Sequence, residues 1–582
     1  MGSRSYFAVI LAILLCAAGA NGQAEPPSPV PSPTPFVADP QGVLPENVPA
    51  VPEVAPNFAS EDRSLPDLGR AGVDVTEQRP LSLSETIALA LENNRDIEVT
   101  RKTNQMAEFD LIAARGFYQP RLAGQAYYER ATVPNISIFS TNETTTQGSF
   151  VGNAGLTGFV PQFGTVLNAN FSNQRVTTDN PISILSPQFN SNLTFSVTQP
   201  LLRGRSFDQP RRVIEIAKRN IEITDTQFRQ RSIEIVAAVE RAYWDLTYAL
   251  RNLQVQRDGV RDAKVQLEHN RRLVDEGQLA PIDIVAAETQ VANYEQAVYD
   301  ALNVVNVAEN ALKNLISPNR NAELWSEAIV PVDPVEVTVP GTSLPEAMDA
   351  AIANRPELEI NRYQKDINVI DQRFYKDQTK PQIDLIASYG SAGIGGSANP
   401  NFQSPFCATT PDPPACQAAQ IQPVLQAIGG GGSAYTDIFG NKYPTYRVGV
   451  QFNLPLFGDK TAKANLGKSR VESERLDVRR ESIEQAVQVE VRNAVQAVRT
   501  AEARLRTASV ARENTAKQYE SEQRKLDNGQ SDVYRVLERQ TALTAARSNE
   551  LRARIELNKA IAELERATGR TLAANNVEAR LK

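Results

Sequence analysis

A catalytic base, a bound metal or a phosphate cradle each needs particular side chains at particular spacing, and this chain supplies almost none. Its single histidine, His269, stands among charged residues on a helical stretch and reads as an exposed side chain. No Gly-x-Ser-x-Gly, His-Glu-x-x-His or Walker pattern occurs. The run Gly429-Gly430-Gly431-Gly432 lacks strand-to-helix context and a following Lys-Ser/Thr, so it reads as a flexible surface loop. Cys407 and Cys416 have no histidine nearby and make a poor metal site; in an oxidising compartment they read as a disulfide. Enzymatic chemistry, cofactors and metals are therefore not expected. A net charge of −7, with acids and bases interspersed at helical spacing, leaves no case for a nucleic-acid partner.

With chemistry set aside, the elements themselves carry the information. Residues 1–22 read as a secretory signal: Arg4 is the positive region, and Phe7 to Ala18 form an apolar core too short to span a bilayer. Cys16 raises lipidation, but Leu15 stands where a small residue is expected. Residues 23–80 are rich in Pro, Ala, Val and Glu without an apolar period and read as an extended or disordered leader. No other stretch reaches the ~18 apolar residues of a membrane helix, so a membrane crossing would have to be a β-barrel.

The most regular stretch runs from Ser206 to Glu276. Val239, Leu246, Leu253, Val260, Leu267 and Val274 recur at a strict seven-residue step, the mark of a left-handed supercoiled seam. At ~1.5 Å per residue this helix is about 105 Å long, a rod no ordinary globular domain needs. Lys460 to Asp527 echoes it. The echo is general: Leu83-Ser84-Glu85 through Val99 reappears as Leu344-Pro345-Glu346 through Ile360, and Pro200-Leu201 and Gly277-Gln278 reappear as Pro455-Leu456 and Gly529-Gln530. Ser82 and Glu85 have capping-box spacing at the first helix, which is expected to run unbroken to about Arg115. Each repeat, 81–316 and 344–568, reads as short helix, strands, long helix, tight turn, short helix. A linker at 317–343 with a strand at Val335 to Val339 joins them, and 569–582 forms a tail. The two short helices of a repeat together match its long helix in length. Stacked end to end they would run antiparallel to it, as a coiled-coil rod with strands at one end and the turns at Gly277 and Gly529 at the other.

Four strands are expected: 121–131, 192–201, 382–391 and 445–456. Each has about the ten-residue reach of a tilted membrane strand. Thr165 to Ser172 also alternates, and 153–174 could add a hairpin. Four strands cannot close a barrel with a lumen, and open edges are not tolerated in lipid. Several copies must therefore share one barrel. The expected class is an internally duplicated α+β membrane protein: long antiparallel coiled-coil helices, a shared transmembrane β-barrel with four strands per protomer, and a small mixed equatorial region.

Leu83-Ser84-Glu85-Thr86-Ile87-Ala88-Leu89-Ala90 with Glu92-Asn93-Asn94, Thr198-Gln199-Pro200-Leu201-Leu202-Arg203-Gly204, Gly277 with Pro281-Ile282-Asp283, and Ala560 to Gly569 resemble the TolC-type outer-membrane efflux and secretion channels. The similarity covers about residues 80–570. It implies a homotrimer with a 12-stranded barrel in outer-membrane lipid and an α-helical barrel in the periplasm of a Gram-negative-type bacterium. It also implies a periplasmic adaptor and an inner-membrane transporter engaging the helical tips, and a passive exit duct for a tripartite efflux pump or a type I secretion system. The competing reading is a periplasmic coiled-coil adaptor or scaffold without a membrane barrel. Family members narrow the periplasmic mouth with acids just after the second tip. The matching positions are Arg535, which departs from that pattern, and Glu538, with Asp283 or Asp532 as ion-pair partners. The docking tips would be Gly277, Gln278, Gly529 and Gln530.

Overall fold

A computed structural model of the chain describes residues 69–135, 143–336, 339, 341–456 and 458–578. All belong to one compact unit, Leu68–Lys582. The expected signal and most of the leader lie outside the described residues.

Two capping boxes open the repeats. Ser82 accepts from the Glu85 N–H while the Glu85 carboxylate accepts from the Ser82 N–H, and Ser343 and Glu346 do the same. The helix after each box is shorter than expected. α1 (Leu83–Asn93) stops at Asn94, whose side chain then caps α2 (Arg95–Arg115) by accepting from the Asp96 and Ile97 N–H groups. The second repeat breaks at the matching place: α5 (Leu344–Asn354) ends at Arg355 and α6 (Pro356–Gln378) begins on a proline. A residue before proline is pushed out of the helical region, and an Asn side chain competes for backbone donors, so both breaks have local causes.

The long helices are α3 (Gln209–Asp275) and α9 (Lys460–Asp527). They pair with α4 (Ile282–Ile316) and α10 (Val533–Ala567) beyond the tight turns. The heptad seam is the core: Val239, Leu246, Ala249 and Leu253 are buried with Val305, Leu312 and Ile316 of α4. Val491, Val495 and Val498 of α9 meet Leu557, Ile561 and Leu564 of α10. Near the sheet the helices lie side by side in the order α2, α3, α6, α9; near the turns the order is α4, α3, α10, α9. The short helices thus line up along the rods as their lengths suggest.

The equatorial region holds a strand in what reads as leader. β1 (Asp74–Leu81) pairs in parallel with β6 (Glu327–Pro331). β1 is mostly exposed, so its sequence shows no apolar alternation; the burial comes from Ala328 and Ile329 of its partner. Among the described residues the linker strand is Glu327–Pro331. Val335 is buried against the rod core, and residues 337–338 lie outside the described residues.

The strand count departs most from expectation. One antiparallel sheet contains six strands: β2 (Arg121–Pro134), β3 (Thr144–Val160), β4 (Thr165–Thr178), β5 (Leu185–Pro200), β7 (Gln382–Ala398) and β8 (Tyr443–Asn453), in that order. The two strands beyond the four expected are β3 and β4, the hairpin that 153–174 could add; β3 carries glycine at 148, 152, 155 and 158, which mutes its alternation. Between β7 and β8 the chain leaves the sheet for α7 (Pro413–Ile428) and α8 (Ser433–Phe439), and Cys407 and Cys416 are disulfide-bonded with Cα atoms 5.7 Å apart. α11 (Thr571–Ala574) closes the described chain.

Candidate functional site: a two-faced wall and two helical tips

The register of the sheet sorts its side chains into two faces. One row across all six strands reads Leu122, Leu156, Ala169, Phe195, Tyr389 and Tyr446. The adjacent row, on the opposite face, reads Ala123, Gly155, Asn170, Thr194, Gly390 and Thr445. The alternation continues: Val448, Val450 and Phe452 lie on the first face, and Asn168, Ser172, Asn192 and Ser196 on the second. The apolar face is exposed within one copy, with Leu122 78% and Tyr446 80% accessible. A soluble protein would not leave so many large apolar groups in water on one sheet face. An apolar outer band and a polar inner face are what a membrane barrel wall requires.

The wall is open. β2 and β8 are the outer strands, and each is paired on one side only. In lipid such edges must find partners. The helical layer is open at the same places: α2 and α4 form one border and α9 the other. α2 leads into β2, and β8 leads into α9, so rod and wall share their two borders. Both helical borders carry exposed apolar stripes, Val99, Met106, Phe109 and Ile112 on α2 and Val471, Val478 and Val489 on α9.

α8 covers part of the apolar face. Tyr435 stacks on Phe171 and its hydroxyl accepts from Asn173, while the Ser391 hydroxyl donates to the Ile438 carbonyl at 2.9 Å. Close approach explains Gly393, where an added Cβ would sit 1.8 Å from the Ala434 carbonyl oxygen.

At the far end of the rods both tips close by one device. Gly277 and Gly529 adopt φ of +74° and +68°, in the left-handed region that favours glycine. The Gln278 N–H donates to the Leu273 carbonyl and the Gln530 N–H to the Lys525 carbonyl, both at 2.8 Å, the six-to-one bond of a Schellman turn. The tips touch: Leu279 of the first packs on Leu526, Val533, Val536 and Leu537 of the second. His269 is half-buried, with Nε2 3.2 Å from the Asp527 carboxylate. It faces the other tip rather than standing exposed.

Of the candidate gate residues, the structure brings two together. Asp532 caps α10 by accepting from the Arg535 N–H at 2.9 Å, and its other oxygen lies 3.3 Å from Arg535 Nε. Asp283 accepts from the Ala280 N–H at 3.1 Å and serves its own turn. Glu538 is exposed and makes no ion pair among the described residues. Sequence reasoning passed over Ile282, Val285 and Tyr534, which stand exposed beside the tips. Their signal is apolar type at the outer helical positions just after each turn.

No group of three or more metal-ligating side chains occurs among the described residues, and no helix there is long and apolar enough to cross a membrane.

Comparison with known proteins agrees with this geometry. Solved structures with the same fold include a membrane protein from Pseudomonas aeruginosa, at 18% identity and a TM-score of 0.57, covering 84% of this chain and 90% of that one. The CmeC outer membrane channel of Campylobacter jejuni matches at 15% identity and a TM-score of 0.58, covering 84% and 86%. The open-state MtrE outer membrane channel of Neisseria gonorrhoeae matches at 16% identity and 0.55, covering 84% and 89%. A search of curated proteins gives no significant match. The model of the outer membrane efflux protein family matches residues 153–317 and 349–570, most of both repeats. The chain therefore belongs to the outer membrane efflux protein family, whose members are channel-tunnels for efflux pumps and not enzymes.

Proposed function

We propose that three copies of this chain ring one pore and form a passive exit duct through the outer membrane. The helical rods reach into the periplasm, and the tips engage a periplasmic adaptor and an inner-membrane transporter of an efflux or type I secretion system. The observation that carries this reading is the coincidence of borders: the sheet and the rods are unpaired at the same two sides. One copy's β8 and α9 then meet the next copy's β2, α2 and α4, and the edges vanish. The number three comes from the family resemblance. A coiled-coil adaptor without a barrel has no use for a six-stranded sheet with an apolar outer face.

The tips suit docking by their exposed Ile282, Val285 and Tyr534 beside Gly277, Gln278, Gly529 and Gln530. In this reading Glu538 and the Arg535–Asp532 pair ring the mouth with charge, and charge at a constriction selects ions; their exposure and their position just after the second tip support it. Asp283 contributes by holding the first turn.

Phe109→Cys and Val471→Cys, made together, test the assembly. A bifunctional thiol cross-linker on membranes should give a ladder that ends at three copies. Monomers alone would overturn the shared ring.

A further inference from the structure

We propose that the hairpin β3–β4 is part of the membrane wall, so that each copy supplies six spanning strands and a three-copy barrel has eighteen. This rests on the shared-ring reading above and deepens it.

Four observations carry it. First, β3 is not an appendage: it pairs with β2 from Arg121↔Thr157 to Pro134↔Thr144, and with β4 from Gln147↔Thr178 to Val160↔Thr165. β4 in turn pairs with β5 from Val166↔Thr198 to Val176↔Gln188. Removing the hairpin from the wall would break the β2–β3 and β4–β5 ladders and leave β2 attached to nothing. Second, β3 has 17 residues and β4 has 14, both beyond the roughly 9–11 that a tilted membrane strand needs. Third, the hairpin continues both faces. Phe150, Ala154, Leu156, Leu167, Ala169 and Phe171 extend the apolar face, and Asn153, Asn168, Asn170, Ser172 and Gln174 extend the polar one. Fourth, the β3–β4 turn sits at the rod end of the sheet. The Gln199 side chain donates to the Phe163 carbonyl at 3.1 Å, and Phe159 packs on Phe117 with ring centroids 4.8 Å apart. Short turns on the inner side are the normal arrangement in such barrels.

Six is an even number, and the strands form a continuous antiparallel series. β2 and β8 therefore run in opposite directions, and β8 of one copy can pair antiparallel with β2 of the next. Barrel diameter grows about linearly with strand number, so an eighteen-stranded wall is about half again as wide as a twelve-stranded one. The added strands bring amides, hydroxyls, small groups and a few apolar side chains to the lumen, but no charge. The duct through the outer membrane is accordingly wide and weakly charged along this arc. It suits bulky hydrophilic cargo better than selection by charge.

The direct test is to count strands around the barrel in an electron cryomicroscopy map of the full-length assembly in lipid nanodiscs. Eighteen is expected; twelve, with residues 144–178 outside the wall, overturns the proposal while leaving the shared ring intact. An assembly without a membrane sheet overturns both. A second measurement needs no map. In A154C a thiol-linked fluorophore should be quenched by nitroxide-bearing lipid, and in N153C the thiol should react with a water-soluble, membrane-impermeant reagent. Aqueous reaction at both positions, with no lipid quenching, contradicts the proposal.

Discussion

The two repeats agree in their rods and disagree in their wall. Capping boxes at Ser82 and Ser343, helix breaks at Asn94 and Arg355, and left-handed turns at Gly277 and Gly529 recur in order. Between its outer strands the first repeat inserts the hairpin β3–β4, whereas the second inserts α7, α8 and a disulfide. The difference follows from how each layer is built. A heptad seam fixes the spacing of every residue along a rod, so the two rods must stay alike. A sheet grows by whole hairpins without disturbing the strands already paired, so one repeat can widen its wall alone.

The largest effects should come from charging the apolar face. Arg at mid-membrane on a barrel's lipid face costs roughly 2–4 kcal/mol. Ala154→Arg in the first repeat and Ala387→Arg in the second should each abolish heat-resistant oligomers on unboiled gels, while Asn153→Arg on the polar face should not. If Ala387→Arg disrupts assembly and Ala154→Arg does not, the hairpin β3–β4 lies outside the wall.

A second contrast lies on the rods. The step that relates Gly277 to Gly529 relates Glu240 to Arg492. Arg492 is exposed, but Glu240 is buried at 3%. Burial pushes its carboxyl up to about 7, against an opposing hydrogen bond from the Asn575 side chain at 2.7 Å and helped by nearby Glu565. The folded state therefore holds this proton more tightly than the unfolded chain. The contribution of Glu240 to stability is fully present below pH 4.5 and is lost as pH rises through about 7, by roughly 3 kcal/mol. Denaturant melts at pH 5 and pH 8 should differ in that sense, and Glu240→Gln should flatten the difference. Arg492→Gln should leave it unchanged.

The tips should respond alike. Gly277→Ala and Gly529→Ala force a side chain into the left-handed region at a cost of about 1–2 kcal/mol each. Amide hydrogen exchange at Gln278 and Gln530 should rise by similar factors. Unequal responses would show that the turns carry different loads. The smallest stability effect is expected where the tips differ in charge. Arg535→Ala with Glu538→Ala should leave assembly intact but alter conductance and its salt dependence. Unchanged conductance removes these residues from the gate.

Much of this was legible in the sequence because it is local. The seam from Val239 to Val274, the cap at Ser82 and the glycine turns each rest on neighbours within one or two helical turns. The features that escaped depend on distant partners. β1 gains its place from Ile329, far along the chain, and β3 is held by strands on both sides while its own glycines blur the pattern. Asp532 and Asp283 read as ion-pair partners at the gate; that each also closes its own turn depends on backbone geometry. His269 reads as exposed because Asp527, which it faces, lies on the other long helix.

Single-channel recording of the purified full-length protein in a planar lipid bilayer tests the central claim most directly. The account predicts discrete, uniform conductance steps from an oligomer that resists detergent and runs as a monomer only after boiling. A soluble monomer that inserts no steps at any protein concentration would contradict it.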